Sequence, residues 1–308
     1  MWPTISFLRY QHPSGHQGLV DGVCTNLLPL LQTICDDISD VPIGRQDLCL
    51  GRPNSSTLHY QTNWPSFISC AKSTQKLDFD DTTVPCTQCF SSVLRHIAAD
   101  EPFSSVTTAT LRIGSPDTLE VTEILPSTLS YLCLVMTYDV DVHTLVDRVV
   151  RRFVSLSELY LHIRRPEHSH DYALSAFLSA PRTLKKFRFE DSLPVRYTEV
   201  DLETFLHMHP QLTSLHLNPY PSVTVQPAEL PHVTCLDVVS RQASHTLAEF
   251  GALLQLSERI TPRNASPSRL QVLDIGRSPF FGNSTHFIGH LRRIFPEAHI
   301  RSSSAVDV

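Results

Sequence analysis

One spelling returns along most of this chain: an apolar residue, two free positions, an apolar residue, one free position, and a third apolar residue. It stands as LSYLCL (129–134), LSELYL (156–161), LKKFRF (184–189), LTSLHL (212–217), VTCLDV (233–238) and LQVLDI (270–275). Weaker copies stand at Thr74-Leu77-Phe79 and Thr108-Leu111-Ile113. Alternation over the last three places is the mark of a short strand with one buried face, and its regular return means stacked copies of one supersecondary unit. An array of this kind grows by adding units, so its 308 residues need no division into ordinary globular domains.

Leu132, Leu159, Phe187 and Leu215 follow one another at 27, 28 and 28 residues. That spacing lies in the range of about 20–29 typical of leucine-rich repeats, each a strand plus a helix or tight turn. Helices are expected at 141–153, 171–180, 201–209, 246–260 and 284–295, several starting at Asp, Ser or Thr, which cap free N–H groups. Pro181 and Pro210 help to end two of them. The remaining intervals, 34 from Leu77 to Leu111, 21 to Leu132, 21 from Leu215 to Leu236 and 37 to Leu273, are uneven.

The expected fold is therefore α/β: an irregular leucine-rich-repeat solenoid with a curved parallel sheet on one face and helices on the other. Three residues past the last strand position, where the repeat usually carries Asn or Cys, stand Thr82, Pro116, Thr137, Arg164, Ser192, Tyr220, Arg241 and Ser278, so no asparagine ladder is expected. Residues 1–18 read as a disordered N-terminal tail, 19–300 as the repeat domain and 301–308 as a C-terminal tail. An N-terminal helical cap opens the domain, with helices over 26–38, from Trp64 to Ala71 and over 86–100, and an edge strand at Leu48 and Leu50.

A net charge of −6 and a pI near 6.2, with no run of Lys or Arg, argue against nucleic acid, whose affinity comes from neutralised phosphates. No apolar run reaches the roughly 20 residues of a membrane span, and the first residues lack the pattern of a secretory signal. Eight scattered cysteines read as reduced thiols, which points to a cytoplasmic or nuclear protein whose sequons at Asn54, Asn264 and Asn283 go unused.

The free strand positions line the concave face of such a solenoid. Tyr131, Glu158, Tyr160, His162, Lys186, Arg188, Ser214, His216 and Asp237 are the candidate partner-binding residues, because aromatics and Arg anchor protein interfaces. The alternative for the same residues is a solvated sheet face. Cys86-x-x-Cys89 lacks a second ligand pair for zinc, and His168/His170 and His207/His209, two apart, diverge on a helix. With no GxSxG, P-loop, GxGxxG or HExxH, no catalytic residue, metal or cofactor is expected, and the chain is read as non-enzymatic.

The stretch NWPSFISCAKSTQKLDFDD resembles a pattern of basidiomycete (fungal) F-box proteins with irregular leucine-rich repeats. Trp64, Phe67, Ala71, Leu77 and Asp80 fit, while Cys70 and Thr74 replace the commoner aromatic and valine. LVDGVCTNLLPLLQTI (19–34) is similar to the segment that follows the F-box in that family, and HLRRIFPEAH (290–299) to its closing helix and edge strand. The resemblance covers residues 19 to 300 and implies a ubiquitin-ligase substrate receptor that binds a protein target; the chain is expected to be a monomer. The helical F-box of about 40 residues that docks the SCF adaptor has no counterpart in residues 1–18. It is expected to be lost or to lie upstream, so an adaptor partner is implied only in the second case. A repeat scaffold with no ubiquitin link is the other expectation, and a metal-dependent enzyme a distant third.

Overall fold

The computed structural model describes residues 19–20, 23–24, 68–69, 71–80, 101–138, 140–163, 173–223, 229–243, 246–257, 269–281 and 284–303. The expected helices over 26–38 and 86–100, the strand at Leu48 and Leu50, Cys86 and Cys89, and His168 and His170 lie outside them.

Strands β1 (Leu19–Val20), β2 (Val23–Cys24), β3 (Lys76–Asp80), β4 (Thr108–Ile113), β5 (Tyr131–Met136), β6 (Glu158–Ile163), β7 (Lys186–Glu190), β8 (Ser214–Leu217) and β9 (Glu249–Ala252) stand side by side in chain order. They continue through β11 (Val272–Asp274) to β13 (His299–Arg301) in one eleven-stranded sheet. After the antiparallel β1–β2 pair every pairing in this sheet is parallel. The short strands β10 (Leu256–Ser257) and β12 (Phe280–Phe281) form a separate parallel pair. The result is the expected α/β repeat solenoid.

Register confirms the central copies: Leu132, Leu159, Phe187 and Leu215 pair in succession, all at most 1% exposed. Elsewhere the structure corrects the sequence reading. Leu77 pairs with Ala109 and Ala109 with Leu132, so the copy in β4 is Val106-Ala109-Leu111, two residues earlier than expected. More consequential is an exchange of strand and helix. The segment expected as the strand VTCLDV belongs to a helix, Cys235–Ala243, and the segment expected as a helix over 246–260 supplies β9 and β10.

Leu247, Phe250 and Ala252, all buried, take the three apolar places of the repeat there. Both misreadings have one cause. Apolar residues at i and i+3 open a helical stripe and a strand copy alike, so a short run is ambiguous until its neighbours choose. Gly251 at the strand centre is a poor helix residue and lowers the local preference for helix.

Three helices of the outer layer are α1 (Val142–Arg152), α2 (Glu199–Met208) and α3 (Cys235–Ala243). Asp141 caps α1 by accepting from the His143 and Thr144 amides at 3.1 and 3.4 Å. Thr198 and Asp201 form a reciprocal capping box on α2. The helix expected over 171–180 is a single 3₁₀ turn, Leu174–Phe177, because the Leu174 amide is tied to Arg196 O and Pro181 closes the far end. Aromatic volume fills what a longer helix would have covered: Phe177 meets Phe187 and Phe189 at ring distances of 5.2 and 4.8 Å, and Phe187 meets Phe205 at 5.7 Å. Full burial of each such ring contributes about 1.5–3 kcal/mol. The last helix, α4 (Ser284–Ile294), leads into β13, which runs one residue past the expected domain end at 300.

In place of an asparagine ladder the repeats share a hydroxyl ladder. From β4 to β9 and at β11, the residue just before the strand and the first residue of the strand both donate their amides to one carbonyl of the previous repeat, as Ser157 and Glu158 do to Ser130 O at 2.9 and 3.0 Å. Side-chain hydroxyls of Thr107, Ser130, Ser157 and Thr213 add a third bond to the same kind of acceptor. Among the described residues a single Asn takes the usual role: buried Asn218 donates its side-chain amide to the Asp191 and Leu193 carbonyls.

Candidate functional site: the open face of the sheet

Alternation in the strands sends every second side chain away from the core, and register lines these up in three rows. One row runs Lys76, Thr108, Tyr131, Glu158, Lys186, Ser214, Glu249, Val272, His299. The next runs Asp78, Thr110, Cys133, Tyr160, Arg188, His216, Gly251, Asp274, Arg301. The shortest runs Asp80, Arg112, Val135, His162, Glu190.

Eight of the nine expected partner-binding residues therefore stand on one surface: Tyr131, Glu158, Tyr160, His162, Lys186, Arg188, Ser214 and His216. Asp237 does not. It belongs to α3 in the outer layer, and Glu249 and Gly251 take the face positions assigned to Cys235 and Asp237. The aligned spelling L-x-x-F-x-A from Leu247 to Ala252 is the sequence signal that locates them.

Tyr131 and Tyr160 meet across neighbouring strands with ring centroids 5.3 Å apart and planes at 35°. Burial, with Cys133, Tyr160 and Glu158 beside it, pushes the Tyr131 phenol above its ordinary range, and burial pushes the Cys133 thiol up to about 11. Both groups are neutral at physiological pH. Around them most of the charges pair with each other. Lys186 Nζ reaches Glu158 at 3.1 Å, Arg112 reaches Asp80 at 3.2 Å, and Glu190 accepts from Arg188 Nε at 2.7 Å while His162 Nδ1 stands 3.2 Å from its other oxygen.

Toward β9 the face closes. His216 is 6% exposed, and its ring covers Gly251, where an added Cβ would lie 2.4 Å from Nδ1. Glu249 accepts from Ser214 Oγ at 2.8 Å and lies 3.7 Å from His216 Nε2. The imidazole and hydroxyl beside it hold this carboxyl down to about 2. The group resembles a catalytic triad in composition alone, since the serine donates to the carboxylate and not to the imidazole that would have to take its proton. Tyr220, from the loop after β8, donates to Asp274 Oδ1 at 2.8 Å and closes the upper margin.

Among the described residues no group of three or more His, Cys, Asp or Glu is placed to hold a metal ion, and no helix is long and apolar enough to cross a membrane. His207 and His209 separate as expected: His207 lines a shallow hollow with Arg182 and Gln211, while His209 is buried against Phe205 at 4.5 Å.

Fold and face together define an α/β repeat solenoid with an open surface of aromatic and paired charged residues. No protein-family model matches the chain, and no curated protein matches it either.

Proposed function

We propose that this chain is a non-enzymatic protein-interaction module, the substrate-recognition repeat region of an F-box-type ubiquitin-ligase receptor, whose open sheet face holds a protein target. One observation carries the binding role: a continuous strand face on which two tyrosines meet at a ring distance of 5.3 Å amid positioned Arg, Lys and Glu. Adjoining, half-buried aromatics offer contact area at small entropic cost, which is how interface anchors act. The ubiquitin link rests on the sequence resemblance alone. Its mechanism needs no bond chemistry in this chain, since the target is held while others supply the transferase.

A photo-crosslinking residue at position 160, compared with one at the outward Val200 of α2, tests the binding role in extracts of the source organism. A specific adduct from position 160 that is lost on Arg188→Glu, with none from position 200, supports it. Adducts from position 200 alone place binding on the helical layer and refute it. Retention of a purified Skp-family adaptor by the full-length gene product tests the ligase link, and failure to retain it leaves a repeat scaffold.

A further inference from the structure

The open face is neutralised from within, and that limits what can dock on it. Its uncharged centre is formed by Thr110, Tyr131, Cys133, Val135 and Tyr160 on three adjacent strands, in register. Charged side chains border this centre on both sides, and most of them are paired; Asp78, beside Thr110 on β3, instead accepts a hydrogen bond from the Thr110 hydroxyl. On the β3 side Arg112 meets Asp80, on the β7 side Arg188 and His162 share Glu190, and along the first row Lys186 meets Glu158. All these pairs join residues of the face itself, at side-chain exposures between 28% and 46%.

A highly charged partner would gain little here. To contact one member of a pair it must displace the other, exchanging one ion pair for another while desolvating both. The tyrosine centre carries no such cost, because Tyr131, Tyr160 and Cys133 are neutral and already half withdrawn from water.

We infer that the segment recognised by this face is a polypeptide stretch of near-zero net charge that lays an aromatic or aliphatic side chain on the Tyr131–Tyr160 pair, with the paired charges as a polar rim. The inference rests on the protein-binding role proposed above and adds the chemistry of the partner. Such an interface depends weakly on salt, in contrast to one formed by complementary charged patches.

The test pans a phage-displayed random dodecapeptide library against the full chain, then measures the enriched peptides by fluorescence anisotropy on wild type, Tyr160→Ala and Tyr131→Ala. Far-UV circular dichroism checks that both variants keep their fold. The expected peptides carry an aromatic or aliphatic anchor and no net charge, lose about tenfold or more in affinity on either substitution, and change less than about threefold between about 50 and about 500 mM sodium chloride. Strongly acidic or basic peptides that need the tyrosines and weaken steeply with salt overturn the partner chemistry and leave the binding face standing. Enriched peptides indifferent to both substitutions, or no enrichment at all, overturn the role of the face itself.

Discussion

Gly276 and Gly289 make a matched pair for testing how the C-terminal repeats are joined. Gly276 has φ +51°, in the left-handed region, and a Cβ added there would lie 1.7 Å from the carbonyl oxygen of Pro219 and 2.8 Å from its Cβ. That oxygen also accepts the Arg277 amide at 3.0 Å, while Gly276 donates to Asp274 Oδ1 at 3.0 Å and accepts from the Ser303 amide at 2.8 Å. The turn after β11 is thus clamped between the loop after β8 and the chain end, and none of the clashing atoms is the end of a flexible side chain. For Gly276→Ala the left-handed backbone costs about 1–2 kcal/mol, overpacking about 1–3, and loss of the Arg277 bond about 1. The sum is a destabilisation of about 3–6 kcal/mol.

Gly289 lies in α4 with nothing within 4 Å of an added Cβ. Gly289→Ala is expected to stabilise by about 0.5–1 kcal/mol through the unfolded chain. Urea unfolding followed by circular dichroism, with linear extrapolation, reads both. A Gly276→Ala midpoint equal to wild type, or equal to that of Gly289→Ala, refutes the proposed clamp.

Two further outcomes concern titration. His209 is buried, neither ring nitrogen makes a well-formed hydrogen bond, and burial lowers its pKa to about 4. The unfolded chain binds this proton more tightly, so stability is fully present above about 6.5 and is lost as pH falls toward 4, by at most about 3 kcal/mol. His209→Phe should flatten urea midpoints across that window, and an unchanged slope counts against the assignment. Glu249 titrates near 2, below its ordinary value of about 4.5, so the stability it contributes is present above 4.5 and lost on acidification toward 2. Gly251→Ala should push the His216 ring aside and raise the Glu249 pKa in an NMR titration, and an unmoved value would show that His216 does not set it.

The central four repeats were legible in the sequence because their strands alternate cleanly and their interval allows a helix or turn of nearly constant length. Most of the open-face positions followed from that phase alone, which is why Tyr131, Tyr160 and Arg188 were placed without a structure. The phase failed where a copy was spelled with small residues. Ala109 and Ala252 are as buried as any leucine, yet they carry little signal in a hydrophobic pattern, so the pattern alone puts the β4 copy two residues late and favours helix at β9. The hydroxyl ladder was hidden for a different reason. Ser and Thr before a strand are ordinary turn residues, and only the neighbouring repeat's carbonyl turns them into a ladder.

The sequence by itself determined the architecture: a parallel array of strands with one buried face, since a period-2 pattern returning at about 27 residues has no other way to bury its apolar side. It also determined which side chains the central strands turn outward. Tertiary structure decided the rest: that 235–243 is helix and 249–252 strand, that Asp237 leaves the face, and that most charges of the central face meet in pairs. These depend on contacts between residues about 30 apart, where the apolar pattern of a six-residue window fits helix and strand equally and packing against the neighbouring repeat makes the choice.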